Sequence, residues 1–83
     1  MIIPMNQISQ RVSRCFHAVF PRLNEVQIST ASTDSLHAWD SIAHVTLLAA
    51  ISEEFQIDIE AEAFEELVSF PEVVSYVERR VPA

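Results

Sequence analysis

The amino-acid sequence predicts an all-α protein of four helices, with a long loop between the first two helices and a short third helix. Three observations support this prediction. The 83-residue chain contains no glycine, whereas tight β-hairpins depend on glycine-containing turns. Apolar residues recur in several segments at the spacing of one helix face. Two of these segments also follow residues that commonly cap helix N-termini.

The first predicted helix covers about residues 4–20. Pro4 is tolerated in a first helical turn, and Pro21 ends the helix because proline disfavours helical geometry in the residue before it. One face of this segment is apolar and carries Ile8, Val12, Cys15, Phe16 and Val19. Since free cysteines are often buried, Cys15 is predicted to be an inert core residue.

Residues 21–39 have no sustained apolar period and are predicted to form a long ordered loop. Polar residues from Ser29 to Ser35 are flanked by apolar positions that end at Trp39. A loop of this length in a compact domain requires a reason. Here the loop would cross the molecule and bring Ser41 to the start of the next helix.

The second predicted helix covers residues 41–55, with Asp40 as its N-cap. One apolar stripe of this helix suits the core and consists of Leu47, Leu48, Ile51 and Phe55. A second apolar face consists of Ile42, Val45 and Ala49, with Thr46 beside them. Either the helix is buried nearly all round, or this second face is an exposed docking platform beside Ser41. Acidic residues such as Asp40 and Glu53 would then form the charged rim that is typical of transient interfaces.

The third and fourth helices are predicted over residues 60–67 and 70–80. Acidic residues early in the third helix suit its positive N-terminal end. The fourth opens with Ser69-Phe70-Pro71-Glu72, which has the form of a capping box. Its last turn contains Arg79 and Arg80, whose charges suit a helix C-terminus.

Composition indicates one globular domain over residues 1–83, since 49% of the residues are apolar. No run of about twenty apolar residues exists, so no membrane span is expected. Residues 1–4 do not resemble the start of a secretory signal. A single cysteine excludes an internal disulfide, and a reducing cytoplasm is the expected compartment.

The charges are distributed unevenly along the chain. The formal net charge is -7, all 12 acidic residues lie between residues 23 and 78, and the chain has no lysine. Such a charge repels phosphate backbones and anionic lipids, so neither nucleic acid nor a membrane is expected as a partner. A basic patch on another protein would be attracted.

The segment Asp40-Ser41-Ile42, followed by a helix that ends at Glu53-Glu54-Phe55 and then by Ile57, resembles the attachment site of acyl carrier proteins. The short acidic third helix and the closing helix also fall where that family has them, so the resemblance covers nearly the whole chain. Asp34-Ser35-Leu36 is a closer literal copy of the Asp-Ser-Leu motif of the family. Ser35, however, lies six residues too far from Phe55.

The resemblance implies a four-helix carrier domain that catalyses nothing itself. Ser41 would be esterified by 4′-phosphopantetheine from coenzyme A, and acyl or aminoacyl intermediates would be held on this arm as thioesters. Asp40 would be recognised by the phosphopantetheinyl transferase. The partner-docking residues would be Ile42, Val45, Thr46, Ala49 and Glu53.

The other implied partners are an acyl- or aminoacyl-loading ligase and the downstream transferases or synthases of a biosynthetic pathway, with the carrier acting as a monomer. A Trp39-Asp40-Ser41 start is more similar to carriers of dedicated aminoacyl, polyketide and non-ribosomal peptide pathways. Gln56 departs from the family pattern, which often has glycine there.

Parts of the sequence also match two other functions. A small hydrolase would use Ser41 as nucleophile with His44 and Asp40, but the sequence lacks the strand-turn-helix elbow and glycines of such sites. His44 is instead predicted to be a surface or boundary residue. The second function, an unmodified acidic helical module that binds a basic partner protein, remains open.

No metal site is predicted, since the acidic run from Asp58 to Glu62 lacks the glycine of a calcium loop.

Overall fold

The computed structural model describes residues 5–81, which form five helices. They are α1 (Met5–Val19), α2 (Glu25–Ser29), α3 (Ser41–Phe55), α4 (Ala61–Phe64) and α5 (Phe70–Arg80). Within this range the only β contact is an isolated bridge between Ser32 and Ser69. The prediction of an all-α protein is therefore confirmed.

Helix α1 is central, because α2, α3 and α5 all pack against it. Its Phe16 ring is the middle of an aromatic cluster, with ring centroids 5.2 Å from Trp39, 5.2 Å from Phe70 and 6.3 Å from Phe20. Tilted and edge-to-face rings of this kind are favourable contacts beyond their buried area. Cys15 is buried on the same helix, as predicted. The predicted start of this helix at Pro4 lies outside the described residues.

Helix α2 lies within the segment that was predicted to be a loop, so that prediction was wrong for these residues. The Asn24 side chain accepts a hydrogen bond from the Gln27 N–H at 2.8 Å, and the Gln27 side chain accepts one from the Asn24 N–H at 2.9 Å. This reciprocal capping box and the burial of Ile28 stabilise the helix. A helix of five residues is too short to display an apolar period, which is why the sequence pattern missed it.

Helix α3 has the predicted limits, and its C-terminal end has an unusual backbone conformation and is held by Arg11. Its C-cap residue, Gln56, has φ 54° and ψ 48°, which is the left-handed region that glycine occupies most readily. Arg11 of α1 holds this end: its Nε donates to Glu54 Oε2 at 2.6 Å, and its Nη2 donates to the Glu54 carbonyl at 2.7 Å. The same guanidinium lies 4.6 Å from the centre of the Phe55 ring.

Helix α4 is shorter than the predicted 60–67, although the N–H groups of Glu66 and Leu67 still donate to the Ala63 carbonyl and continue the turn. Helix α5 has the predicted limits. The Ser69 hydroxyl accepts from the Glu72 N–H and also donates to Glu72 Oε1 at 2.9 Å, so only half of the predicted capping box forms.

The connection between α2 and α3 is attached to the connection between α4 and α5. Thr33 N–H donates to the Val68 carbonyl at 2.9 Å, and Phe70 N–H donates to the Ala31 carbonyl at 3.1 Å. These backbone bonds bring the start of α3 close to the end of α4.

Candidate functional site

Ser41 is the first residue of α3 and its side chain is exposed. Before it, Asp40 is extended, and its Oδ1 accepts a hydrogen bond from the Ala43 N–H at 2.9 Å. The Asp40 carbonyl accepts from the His44 N–H at 2.8 Å. The first N–H groups of a helix lack partners within the helix, and this end carries a partial positive charge. The arrangement therefore places an exposed hydroxyl at the positive end of a helix, directly after a carboxylate.

A buried pair of rings lies beneath this turn. Only 3% of Trp39 and 6% of His44 is exposed. Trp39 Nε1 donates to His44 Nδ1 at 2.8 Å, and His44 Nε2 lies 2.6 Å from the Phe64 carbonyl oxygen. Because an indole N–H only donates, Nδ1 must accept, and Nε2 must carry the proton that it donates to Phe64. His44 is thus held as one neutral tautomer between the loop, α3 and α4.

The prediction that His44 is a surface or boundary residue was wrong. His44 lies four residues before Leu48 and seven before Ile51, which places it on the stripe of α3 that faces the core. This spacing could have located it from the sequence. Since both ring nitrogens are engaged, His44 has no free lone pair with which to take a proton from Ser41, and the geometry offers no support for a hydrolase.

The second apolar face of α3 is exposed, so the helix is not buried nearly all round. Ile42 is 79% exposed and Val45 is 55% exposed. The other predicted docking residues are also on the surface, namely Thr46, Ala49 and Glu53. We call these five residues the α3 outer face. Its role in binding partners stays a prediction.

Two open depressions flank Phe64 of α4. The first, of about 340 Å³, lies beside Ser41 and reaches from the first turn of α3 to Phe64, Glu65 and Val68. The second, of about 320 Å³, lies between α3 and the start of α4, with Val45 among its lining residues and Phe64 again in its wall. The Phe64 ring packs edge-on against His44, with centroids 4.4 Å apart.

Ser35, the alternative serine, has a different setting. It lies in an exposed turn, and its hydroxyl is 2.9 Å from the Ser32 hydroxyl and accepts from the Ser32 N–H at 3.2 Å. No helix starts at Ser35. The Ser35 hydroxyl is therefore hydrogen-bonded within its own turn. Unlike Ser41, Ser35 does not lie at the N-terminus of a helix.

Two side chains with shifted pKa values, Cys15 and Glu60, lie away from Ser41. Burial raises the pKa of the Cys15 thiol to about 11, with a smaller contribution from the Glu54 carboxylate. This thiol is therefore a poor nucleophile at neutral pH. The hydrogen bond from Arg80 lowers the pKa of the Glu60 carboxyl, and the two side chains form an ion pair at 2.6 Å.

Among residues 5–81, no three His, Cys, Asp or Glu side chains are grouped so that they could hold a metal ion. The helices in the same part of the chain are all too short or too polar to cross a membrane.

Comparison of the chain with models of protein families, with curated proteins and with solved structures found no match. The geometry around Ser41 and the motif that surrounds it are therefore the features that point to a function.

Proposed function

We propose that this chain is a carrier protein that holds acyl or aminoacyl intermediates as thioesters on a 4′-phosphopantetheine arm attached to Ser41. The observation that carries the proposal is the exposed Ser41 hydroxyl on the first turn of a 15-residue helix, directly after the Asp40 N-cap. The arm would present each intermediate to the enzymes of a biosynthetic pathway, and the chain itself would catalyse no step.

The residues around Ser41 fit the attachment chemistry. The Ser41 hydroxyl would attack the β-phosphorus of coenzyme A and break the phosphoanhydride bond. Adenosine 3′,5′-bisphosphate would leave, and the hydroxyl proton would pass to a base of the transferase. The new phosphodiester would lie near the free N–H groups at the positive end of α3, which favour an anion. Asp40 opposes this negative charge, and we assign it two other roles, as helix cap and as recognition residue for the transferase and its metal.

The α3 outer face is the proposed docking surface. Ile42 and Val45 supply exposed apolar area next to Ser41, and Glu53 supplies negative charge. Its partners would present an apolar patch within basic residues: the phosphopantetheinyl transferase, a loading ligase, and downstream transferases or synthases. Such contacts should be weak and sensitive to salt, because a carrier must leave each enzyme in turn.

In this proposal α1, α3, α4 and α5 correspond to the four helices of a carrier bundle, and α2 is a short addition within the first connection. The net charge of -7 opposes self-association, so we expect a monomer. We place the protein in the cytoplasm, where a free thiol such as Cys15 stays reduced.

Intact mass spectrometry tests the attachment site. The full chain would be incubated with coenzyme A, magnesium and a broad-specificity phosphopantetheinyl transferase, alongside Ser41→Ala and Ser35→Ala. We expect a gain of one phosphopantetheine in the unchanged chain and in Ser35→Ala, and no gain in Ser41→Ala. If the folded chain gains no mass, the carrier proposal fails.

The second candidate function is an unmodified acidic module that binds a basic partner protein. The exposed apolar residues of the α3 outer face, together with Glu53, favour it, since this surface needs no modified serine to bind. It leaves the position of Ser41 unexplained. This function would become the leading one if the folded chain resists modification.

A further inference from the structure

Helix α4 depends on neighbouring elements for its position. It consists of 4 residues, and its N-cap residue Glu60 makes no side-chain capping bond. A single helical turn is not stable alone, because nucleation costs more free energy than one turn of hydrogen bonds returns. Contacts from other helices must therefore hold α4 in place.

The two ends of α4 are held by different helices. At its start, the Glu60 N–H donates to the Tyr76 hydroxyl at 3.4 Å, and Glu60 is paired with Arg80, so both contacts come from α5. The ion pair is largely exposed, and such pairs contribute little. At its end, the Phe64 carbonyl accepts a hydrogen bond from His44 Nε2 of α3 at 2.6 Å, and this contact is buried on the His44 side. His44 is the polar tether between α3 and the end of α4.

The hydrogen bond from His44 to Phe64 lies close to Ser41. His44 lies three residues after Ser41 on α3. The depression beside Ser41 has the first turn of α3 as one wall and Phe64, Glu65 and Val68 as the other. Because Ser41 lines this depression, a macromolecule bound over the Ser41 hydroxyl would lie against it. The surface that it meets therefore depends on how α4 is placed against α3.

We propose, on the basis of the carrier function proposed above, that His44 is a positioning residue for the modification of Ser41. By donating to the Phe64 carbonyl, it holds the end of α4 against the first turn of α3, so that the transferase meets one preformed surface. His44 does not touch the reacting atoms. Its loss should therefore weaken binding of the carrier and leave the chemical step unchanged, because preorganisation lowers the cost of association.

A pair of substitutions separates the two hydrogen bonds of His44. In His44→Gln the amide nitrogen reaches a position similar to that of Nε2 and can still donate to Phe64. In His44→Asn the amide oxygen can still accept from Trp39, but the side chain is too short to reach Phe64. The control is His37→Asn, the same change at an exposed loop histidine.

The experiment measures kcat and KM for modification of the full chain by the broad-specificity transferase, with hydrogen exchange of the amides at 63–67 as a second readout. Loss of one neutral hydrogen bond should raise KM about three- to tenfold in His44→Asn, with kcat unchanged. Exchange at 63–67 should be faster in the same variant. His44→Gln and His37→Asn should match the unchanged chain in both measurements.

Three results would overturn the proposal: an unchanged KM in His44→Asn, a fall in kcat alone, or equal losses in His44→Gln and His44→Asn. Unfolding of His44→Asn, alone or together with His44→Gln, would also contradict it, since His44 would then support the whole domain rather than the position of α4. If the unchanged chain is not modified, the carrier function fails. Hydrogen exchange then still decides whether His44 holds α4.

Discussion

Among residues 5–81, the buried polar side chains are all hydrogen-bonded, and one backbone position is strained. Within residues 5–81 no buried side-chain nitrogen or oxygen lacks a hydrogen-bond partner, which is what a stable core requires. The strained position is Gln56, whose φ of 54° is the only positive value among the described residues. A side chain in this region costs free energy that glycine avoids.

Replacing Gln56 should therefore separate the two effects of this residue. Gln56→Gly relieves the strain but loses the bond from Nε2 to the Glu53 carbonyl, whereas Gln56→Ala loses the same bond and keeps the strain. We expect the glycine variant to be about 1 kcal/mol more stable than the alanine variant. Urea unfolding measures the difference. An alanine variant of equal or higher stability would show that a side chain at position 56 causes no strain.

The buried thiol of Cys15 gives a second prediction for a single residue. Its pKa is raised from 9.0 to about 11, so the folded chain should react with a thiol reagent at pH 8 about 100-fold more slowly than the unfolded chain. The unfolded chain also loses the thiol proton at lower pH than the folded chain. The free energy of unfolding should therefore fall as pH rises from 9.0 towards 11.

Cys15→Ala provides the control for this effect. Comparing its free energy of unfolding with that of the unchanged chain across the same pH range isolates the contribution of the thiol. Equal labelling rates in folded and unfolded protein, or the same pH dependence in both chains, would show that Cys15 is not protected.

At the scale of elements, the structure of α3 depends on its cap. Asp40→Ala should destabilise the protein by about 1 kcal/mol, because the Ala43 N–H loses its acceptor. Asp40→Ser keeps a capping oxygen without the charge and should remain within a few tenths of a kcal/mol of the unchanged chain. Thermal or urea unfolding measures both changes.

The same two variants separate capping from recognition by the transferase. If the Asp40 carboxylate is recognised, Asp40→Ser should be stable and yet be modified more slowly than the unchanged chain. Normal modification of Asp40→Ser would limit the role of Asp40 to capping.

Local signals in the sequence located some elements and missed others. The starts of α3 and α5 were predicted because Asp40 and Ser69 are residues that commonly cap helix N-termini. Helix α2 was missed because its stability comes from a capping box and one buried isoleucine; the pair Asn24 and Gln27, three residues apart, was the available signal. Helix α4 was predicted too long because an acidic run suits a helix start but says nothing about its end.

The candidate site was likewise only partly accessible from the sequence. The start of α3 at Ser41 could be predicted from local signals. The sequence raised the exposure of Ile42 and Val45 as one of two possibilities, and only the packing of the other helices decided it. The bond from His44 to Phe64 joins residues twenty positions apart, and such contacts depend on how α3 and α4 are brought together.

The α3 outer face joins exposed apolar area, from Ile42 and Val45, to the negative charge of Glu53. If partners dock there, Val45→Ala and Glu53→Gln should each raise KM for modification by roughly two- to tenfold. The free energy of unfolding should change by less than about 0.5 kcal/mol, because both side chains are on the surface. Higher salt should reduce the effect of Glu53→Gln.

Helix α2 supplies matched controls for this prediction. Val26 is 73% exposed, and Glu25 is exposed beside it, on a helix that packs against α1 and α5. Val26→Ala and Glu25→Gln should leave KM unchanged. Equal effects at both faces would mean that overall charge and apolarity, rather than a defined surface, determine binding.

The buried indole of Trp39 also gives the protein an intrinsic fluorescent probe. The chain has a single tryptophan, and its ring is bonded to His44 immediately below the turn that carries Ser41. Its fluorescence reports on this one location, without contributions from other tryptophans and without an attached dye. We therefore expect attachment of a group to Ser41, or movement of α4 away from His44, to change the Trp39 fluorescence of the unlabelled protein.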